Sequence, residues 1–482
     1  MTTRRVVPRI LGLGALAAAF GVAPAQSLGA QDSRPCTVVF TGVARGADTT
    51  RMNAYSTPTG GRNTFVGGGV DATCEGQGNR LLADSAEHYA DRGELILIAR
   101  VRYSEPRMSL QSDRMIYYTA EERLLATGNV RGLSASGTRF TGPQIEYFRA
   151  KPGLRAVPSW RAPGRPFVRM SPTAIRPDST RPAPRPGNRA AAATSTAAGD
   201  SVDLRADLVV SVNDSLVWAV GNVIIERPDL RATADSARLD QGIEFAQLLR
   251  KPEIVGRGER PFTLVGTVID LWSKDRKLRR VRADGSAKVT SDSLILTGDT
   301  IDLRMAEQQM ERVYAWGGRA TADAPAQRLE ADSLDILMPG QRLQEIRALG
   351  TAFARSRADT VKIETDELDW ISGDTILALF DSVATADSTE SASSAKMREV
   401  VASGAARAFY QLAPSHGERG APNLSYNRGR VITVHFEQGE VRHVDVRDRA
   451  SGIFLEPVQA DSVKAIKAKT DSAKVAAPSR RP

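Results

Sequence analysis

Four histidines are the side chains of this sequence best suited to acid–base catalysis or metal binding. They are His88, His416, His435 and His443, and no two of them have the His-Glu-x-x-His spacing that places two ligands and a base on one helix face. His435 and His443 flank a predicted hairpin and could meet there. Because we find no carboxylate at a fixed spacing from them, we interpret both as surface residues and predict no metal site.

Other catalytic signatures are absent from the sequence as well. It contains no Gly-x-Ser-x-Gly elbow and no phosphate-binding P-loop. A Ser-x-x-Lys at Ser393–Lys396 lies in a low-complexity segment, where chance explains it. We therefore predict no catalytic residue and no cofactor, and we do not expect an enzyme. The one enzyme hypothesis that we keep is a polysaccharide-processing β-helix that uses stacked aspartates.

Aspartates recur in one short pattern, Leu-x-small-Asp-x-apolar-x-apolar, which is present in eight clear or variant copies. Repetition of this kind determines architecture before any single residue does. The glycine-rich nonapeptide of calcium-binding β-rolls is missing, so we do not interpret the aspartates as calcium ligands. The copies are centred on Asp84, Asp113, Asp207, Asp235, Asp292, Asp299, Asp332 and Asp366.

The apolar residues of each copy change phase at the aspartate. In LQSDRMIY, Leu110 and Ser112 share one parity before Asp113, whereas Met115 and Tyr117 take the parity of the aspartate after it. Alternate residues of a strand lie on one face, so this shift moves the apolar set to the other face unless the strand bends or bulges. We predict a strand with a corner at the small-Asp pair, where the carboxylate accepts hydrogen bonds from freed backbone N–H groups.

A second phrase, a strand that ends in glycine, follows each copy. LLATGNV at Leu124–Val130 and VWAVGNV at Val217–Val223 are clear examples. Short strands, regular turns and little helical periodicity together predict an all-β repeat structure. In the strand at Thr138–Phe148, Pro143 stands near the expected corner and predicts an edge strand or a bulge.

Residues 1–25 have the features of a secretory signal. Three arginines precede an apolar run at Ile10–Ala23, and Ala23-Pro24-Ala25 forms an A-x-A cleavage site. The run is shorter than the roughly 20 apolar residues that span a bilayer. We expect the mature chain in an oxidising compartment outside the cytoplasm. Export argues against nucleic acid as a partner, although the formal net charge is +9.

Cys36 and Cys74 are the two cysteines of the chain. In an exported protein, two cysteines that flank a β-like stretch are expected to form a disulfide. Such a bond would attach the first predicted strand, Thr37–Thr41, to the repeat array. The other interpretation is a pair of unrelated thiols.

Composition divides the chain into segments. We predict a first repeat block at 32–150 and a second block at 200–456, with a small polar loop near 384–398 in the second. A tail rich in Lys, Ala and Ser at 457–482 is expected to be disordered.

The segment between the two blocks, 151–199, is rich in proline and arginine. It is either a flexible linker or an arginine-rich insert that meets phosphate groups at a membrane surface. We favour the linker, and we expect order only in its front part, Val157–Met170.

One face of each predicted strand is rich in Leu, Val, Ile and aromatic residues, and an open array of such strands makes a long apolar trough. The trough is filled either by the protein's own side chains or by a guest such as a lipid. If a lipid binds, the apolar positions after each aspartate are the candidates to line the groove. These candidates are Met115, Tyr117, Val209, Leu294, Leu296, Leu334, Ile336 and Leu368.

The phrases LLADSAEHY, LQSDRMIYY and LLATGNV, followed by LRADLVV, VWAVGNV and LEADSLDI, resemble the OstA/LptA-like (organic solvent tolerance N-terminal domain) family of lipopolysaccharide-transport proteins. The similarity is strongest over Arg80–Tyr147, weaker over Asp200–Phe380 and faint after Glu399. It implies V-shaped β-jellyroll modules, here two blocks in tandem joined by the Pro/Arg-rich linker. The groove of such modules shields acyl chains while sugars and phosphates stay in water.

The same resemblance implies a periplasmic protein, or one associated with the outer membrane. It would bind lipopolysaccharide or a related amphiphile and pass it toward the outer membrane. The implied partners are other bridge-family proteins, joined by strand addition at sheet edges, and indirectly an inner-membrane ABC exporter and an outer-membrane translocon. The rival hypothesis is a structural or adhesive β-repeat scaffold of the cell envelope with no lipid cargo.

Overall fold

The structure is a computed structural model. It describes residues 38–42, 51–74, 78–170, 201–257, 261–292, 294–358, 361–381, 396–413, 419–437 and 440–457.

The described residues form 28 β-strands and two 3-10 turns, at Ala90–Arg92 and Pro339–Gln341. The predicted all-β class is therefore confirmed. Over the described ranges, no helix has the length and apolar character that a bilayer crossing requires. The expected signal sequence and Cys36 lie outside these ranges, as do most of the polar loop and of the tail.

The strands run in chain order through three groups. The first is β1 (Val38–Gly42), β2 (Arg51–Ser56), β3 (Arg62–Cys74), β4 (Asn79–Tyr89), β5 (Glu94–Glu105), β6 (Met108–Tyr118), β7 (Arg123–Ser134) and β8 (Arg139–Phe148). The second is β9 (Ser159–Pro163), β10 (Phe167–Met170), β11 (Val202–Arg205), β12 (Leu208–Val212), β13 (Leu216–Glu226), β14 (Leu230–Asp240), β15 (Phe245–Leu249), β16 (Glu253–Gly256), β17 (Phe262–Val265) and β18 (Val268–Lys274). The third is β19 (Lys277–Ser291), β20 (Ile295–Ala306), β21 (Gln309–Ala324), β22 (Gln327–Leu337), β23 (Glu345–Arg357), β24 (Leu368–Asp381), β25 (Lys396–Leu412), β26 (Asn423–Glu437), β27 (Glu440–Arg447) and β28 (Ser451–Leu455).

The strands pair antiparallel in one continuous meander. From β3 to β8 and from β19 to β26, each long strand pairs with the next along most of its length. Elsewhere two short strands replace a long one: β9 and β10 both pair with β8, and β11 and β12 both pair with β13. The break between the two short strands falls at the position where a long strand would have its corner.

The predicted corners are present as β-bulges. Between β6 and β7 the register shifts from Gln111 to Arg114, opposite Gly128 and Asn129. Gly128 and Asn129 have φ angles of +76° and +47°, so two consecutive left-handed residues turn the strand. A Cβ atom on Gly128 would come within 2.5 Å of the Asp113 carboxylate. Both the φ angle and the lack of space therefore require glycine here.

The corner aspartates accept hydrogen bonds from side chains of the facing strand. Asn129 Nδ2 donates to Asp113 Oδ2 at 2.7 Å, and Asn222 Nδ2 donates to Asp207 Oδ2 at 2.8 Å. We expected backbone N–H donors. At these two corners the donor is instead the amide of the left-handed residue after the glycine, because asparagine tolerates a positive φ angle and points its side chain at the bulge.

The inward face changes phase at each corner, as the sequence predicts. In β6 the buried residues are Met108, Leu110 and Ser112 before Asp113, and Met115 and Tyr117 after it. Each long strand is therefore two half-strands that share one interior. The half-strands form two walls, and the connections between strands fall on two rims.

The first rim carries the β5–β6, β7–β8 and β13–β14 connections. The second rim carries the β6–β7, β12–β13, β14–β15 and β18–β19 connections. Contacts between residues of the two rims, described below, show that the walls close over the interior.

The sheet is continuous through the segment that we expected to link two blocks. Strands β9 and β10 lie in the front part of that segment, and they connect β8 to β12 and β11. Strand β8 is therefore not an edge strand. Residues of β8 before Pro143 pair with β10, and residues after it pair with β9. Pro143 itself lies opposite the bulge of β7, so no ladder hydrogen bond is lost there. The boundaries at 150, 199 and 456 stay predictions.

Two of the eight predicted corners are wrong. Asp292 lies in the connection between β19 and β20, and Asp366 precedes β24. The corner of β24 is at Asp374, where the register shifts between Ser372 and Thr375. The facing residue Gly404 has a φ angle of +80°. The sequence ISGDTILA at 371–378 also fits the pattern, and it begins three residues after the copy IETDELDW reaches Leu368.

Candidate functional site in the interior of the sheet

The interior of the first block is filled by the protein's own side chains. Leu97, Leu110, Met115 and Ile145 are fully buried, and Trp160 of the adjoining β9 is 1% exposed. Trp160 stacks on Phe140 with ring centroids 5.1 Å apart. In this part of the described chain the interior is a packed core and not an open trough.

The eight predicted groove residues divide by burial. Leu294 is half-buried against the core, and Leu368 is 37% exposed, so the assignment of Leu368 to the interior is wrong. Leu368 lies on the same face of β24 as Trp370, which stacks on Phe353 and Phe409 on the outer face. The sequence predicted an inward side chain because it placed the corner at Asp366. The other six are buried: Met115, Tyr117, Val209, Leu296, Leu334 and Ile336.

A cavity of about 150 Å³ lies within the second group of strands, beside the first residues of β11 and β14. Its wall is apolar, and its polar residues, among them Arg227, Gln241, Glu244 and Arg276, lie at strand ends. None of the eight candidates from the sequence is among the residues that line it. The apolar lining includes Met170, Val202, Leu230, Leu239, Ala246 and Leu248.

Arg227 bridges the two rims beside this cavity. It follows β13 on the first rim, where its guanidinium pairs with Asp229 at 2.9 Å. Arg227 Nη2 also donates to the backbone carbonyl of Arg276 at 2.9 Å, on the second rim. The side chain of Arg227 is 16% exposed. A charged residue therefore closes the mouth of the interior at the cavity.

A second bridge, which we call the Arg149 clasp, closes the mouth in the first block. Arg149 follows β8 on the second rim and pairs with Glu105 of the first rim at 3.0 Å and with Glu122 of the second rim at 2.7 Å. The Tyr147 hydroxyl also donates across the rims to Glu105. Arg149 is 4% exposed and the Glu105 side chain is fully buried. The clasp is a buried ion network and not a surface salt bridge.

Burial fixes the protonation states in the clasp. It raises the pKa of the Tyr103, Tyr117 and Tyr147 hydroxyls, which therefore stay protonated and donate to the glutamates. Burial alone would lower the pKa of Arg149, but the Glu105 and Glu122 carboxylates outweigh it and the pKa is raised. Arg149 is thus held as a cation between two acids.

The two bridges were not visible in the sequence. Glu105 and Arg149 are 44 residues apart, and Arg227 and Arg276 are 49 apart. No local pattern connects such pairs. The one signal available was a charged residue at an inward parity, as at Glu105, which follows the buried Val101 and Tyr103 in alternation.

Three of the four arginines in the described part of the basic segment contact the protein itself. Arg169 makes a bidentate pair with Asp203 at 2.6 Å, and Arg165 lies 3.6 Å from Asp207. Arg155 donates to the backbone carbonyl of Arg149 at 2.7 Å. These contacts attach the segment to the sheet. The hypothesis of a phosphate-binding insert now concerns the exposed Arg161 and the arginines outside the described ranges.

The histidines His435 and His443 do meet across the β26–β27 hairpin, and Asp445 lies beside both. We predicted no carboxylate partner for them. The alternation His443-x-Asp445 was the signal, since residues two apart in a strand share a face.

Comparisons with known proteins find similarity among solved structures. No family model matches the sequence, and no curated protein matches it. Among solved structures the chain is similar to LptH of Pseudomonas aeruginosa, the LptA-homologous periplasmic component of its lipopolysaccharide transport device, with 17% identity and a TM-score of 0.21. The match covers 24% of this chain and 82% of that one. A score this low does not establish a common fold, so the all-β class rests on the strands described above.

Proposed function

We propose that this protein handles lipid in the periplasm, holding the acyl chains of an amphiphile between the two walls of its folded sheet. Lipopolysaccharide or a related amphiphile is the proposed cargo, and its passage toward the outer membrane is the proposed role. The observation that supports this best is the apolar cavity, whose mouth is closed by the charged Arg227 bridge.

The chemistry of the cavity suits an amphiphile. Its wall is made of aliphatic side chains such as Ile225, Leu230 and Leu271. Each buried methylene group of an acyl chain contributes about 0.8 kcal/mol there. Arg227 and Arg276 stand at the mouth, where a guanidinium group can bind a phosphate of a head group. An apolar ligand without a polar head would make no contact with these two guanidinium groups.

The two bridges differ in what it costs to open them. A charge-assisted hydrogen bond such as that from Arg227 to the Arg276 carbonyl contributes about 1.5–3 kcal/mol. Breaking a buried ion pair such as the Arg149 clasp costs about 3–5 kcal/mol. We therefore expect the cargo to enter beside Arg227, while the clasp keeps the first block closed.

The packed interior of the first block favours a second candidate function. A sheet filled by Leu97, Leu110 and Met115 needs no guest for its stability, as expected of a structural or adhesive scaffold of the envelope. The two functions differ in whether lipid occupies the second group of strands.

Substitution of two neighbouring residues of β15 tests the proposal. Ala246 lines the cavity, whereas Gln247 faces outward and donates to Asp270 at 2.9 Å. We expect Ala246→Phe to fill the cavity and to reduce the lipid that mass spectrometry detects in the gently purified protein. Gln247→Phe should leave the lipid content unchanged. Wild-type protein with no bound lipid, or equal lipid in both variants, would support the scaffold instead.

A further inference from the structure

Three potential metal ligands converge on the outer face of the β26–β27 hairpin. His435 and His443 are register partners, and their rings stack with centroids 4.1 Å apart. His435 Nε2 lies 3.5 Å from Asp445 Oδ2, and His443 Nε2 lies 3.9 Å from the same oxygen. The three ligand atoms are all within 4.8 Å of one another.

The strand geometry explains why these side chains meet. Opposite residues of an antiparallel pair have Cβ atoms about 4.5–5.5 Å apart, and residues two apart in one strand share a face. His443 and Asp445 therefore point the same way, and His435 faces them from β26. The intervening residues Val434 and Val444 point inward, since Val434 is 8% exposed and Val444 packs against the core.

The spacing is slightly wider than that of a tetrahedral metal site. With metal–ligand bonds of about 2.0–2.1 Å, two ligand atoms of a tetrahedral ion lie about 3.3–3.4 Å apart. The distances from the two imidazole nitrogens to the carboxylate oxygen exceed this value by a few tenths of an ångström. The two rings stack at an interplanar angle of 21°, so binding also requires them to turn until both nitrogen lone pairs meet one ion.

We propose that His435, His443 and Asp445 bind a divalent transition-metal ion. Two imidazoles and one carboxylate form a ligand set that takes Zn²⁺ readily and also suits Ni²⁺ or Cu²⁺, whereas Ca²⁺ and Mg²⁺ prefer oxygen ligands alone. Three protein ligands leave a further coordination position. Glu399, the register partner of His435 on β25, is the nearest acidic residue on the neighbouring strand that could approach it.

Such an ion would cross-link β26 and β27, the two strands of the hairpin. In the described chain β27 pairs only with β26, so this wall ends at β27. Asp445 also lies 4.0 Å from Arg447, and that exposed guanidinium is the cation that the metal would displace. If the metal binds the folded hairpin and not the unfolded chain, the free energy of unfolding rises with the logarithm of the free metal concentration once that concentration exceeds Kd.

Titration calorimetry of the full chain with Zn²⁺ alone tests the site. We expect His443→Ala and Asp445→Asn each to weaken binding at this site by about tenfold or more, because each removes one of three ligands. Glu437→Gln is the matched control, since this carboxylate lies on the same hairpin and pairs with Arg442 instead. It should bind Zn²⁺ as the wild type does.

A spectroscopic measurement separates a built site from adventitious histidine binding. Co²⁺ bound in tetrahedral coordination absorbs strongly in the visible range, and we expect this absorption in the wild type and in Glu437→Gln. His435→Gln should abolish it. The proposal is overturned if the wild type binds no Zn²⁺, or if the His443→Ala and Asp445→Asn variants retain wild-type affinity. Because the three side chains lie on the outer face, circular dichroism should show intact folding in every variant.

Discussion

At the scale of single residues, the position of a charge relative to the interior decides its energetic role. Arg169 and Arg149 both pair with carboxylates, but Arg169 is 46% exposed and Arg149 is 4% exposed. Exposed pairs contribute about 0–1 kcal/mol because water screens them. Removal of one partner of a buried pair leaves an uncompensated charge in the core.

We predict that Arg149→Met lowers the free energy of unfolding by about 3–5 kcal/mol, whereas Arg169→Met lowers it by less than about 1 kcal/mol. Chemical denaturation measures both values. Adding Glu105→Gln to the Arg149→Met variant should restore part of the loss, since the unpaired buried carboxylate is then neutral. Equal and small effects of the two single substitutions would show that the clasp is not a buried network.

Asp214, in the β12–β13 connection, gives a pH-dependent prediction. Burial raises its pKa above the ordinary value of 3.8; Arg107 of the facing rim lowers it and Glu105 raises it further. The folded protein therefore binds this proton more tightly than the unfolded chain, and stability is lost as the pH rises through the raised pKa.

Asp214→Asn should consequently be more stable than the wild type at pH 7, and the difference should shrink as the pH is lowered toward 4. Asp214 has a φ angle of +56°, which asparagine also tolerates. Asp448→Asn is the control, because Asp448 has a φ angle of +58° in an exposed turn. Urea titrations at several pH values test this, and a pH-independent difference would contradict it.

At the scale of elements, the sequence pattern predicted strands and most corners but not every register. The phase change around Asp113 was readable because the apolar residues on both sides are large, and burial confirms it. The corner of β24 was misplaced because IETDELDW fits the pattern although its Asp366 lies before the strand. The pairing of β24 with β23 and with β25, which is not encoded locally, distinguishes Asp366 from Asp374.

The corrected register predicts opposite outcomes for two leucines that the pattern treated alike. Leu296 is 2% exposed and Leu368 is 37% exposed. Leu296→Ala should cost about 2–5 kcal/mol of unfolding free energy through loss of packing. Leu368→Ala should cost well under about 1 kcal/mol, as surface substitutions do. Thermal and denaturant unfolding would compare them, and a large cost for Leu368→Ala would restore the corner at Asp366.

At the scale of the whole molecule, the sheet ends in strands with exposed apolar side chains. In β28, Ile453, Phe454 and Leu455 are each more than half exposed, and β28 pairs only with β26 among the described strands. At the other end Met52 and Tyr55 of β2 are each 61% exposed. Unpaired edges of this kind invite strand addition by another chain.

We predict that the protein associates through these edges at high concentration, either with itself or with another β-rich partner. Phe454→Lys should shift sedimentation toward the monomer, because a charge on an edge strand opposes pairing. Leu154→Lys is the control, since Leu154 is equally exposed but lies in a loop. A monomeric wild type over the accessible concentration range would count against edge pairing with itself.

The closure of the interior belongs to this scale too, and the sequence could not predict it. Residues such as Glu105 and Arg149 meet only because bending at many corners brings the two rims together. The sequence therefore predicted an apolar interior but left its state open. The structure shows that the first block is packed and that a cavity lies among the strands that follow.

Photocrosslinking from two neighbouring positions of β14 tests the central claim, that acyl chains occupy the interior, most directly. Leu239 lines the cavity and is 8% exposed, whereas Arg238 lies on the outer face. With a photoreactive residue at each position in turn, cells should yield a lipid adduct from position 239 and none from position 238. Adducts from position 238 alone, or from neither position while the protein stays folded, would contradict the account.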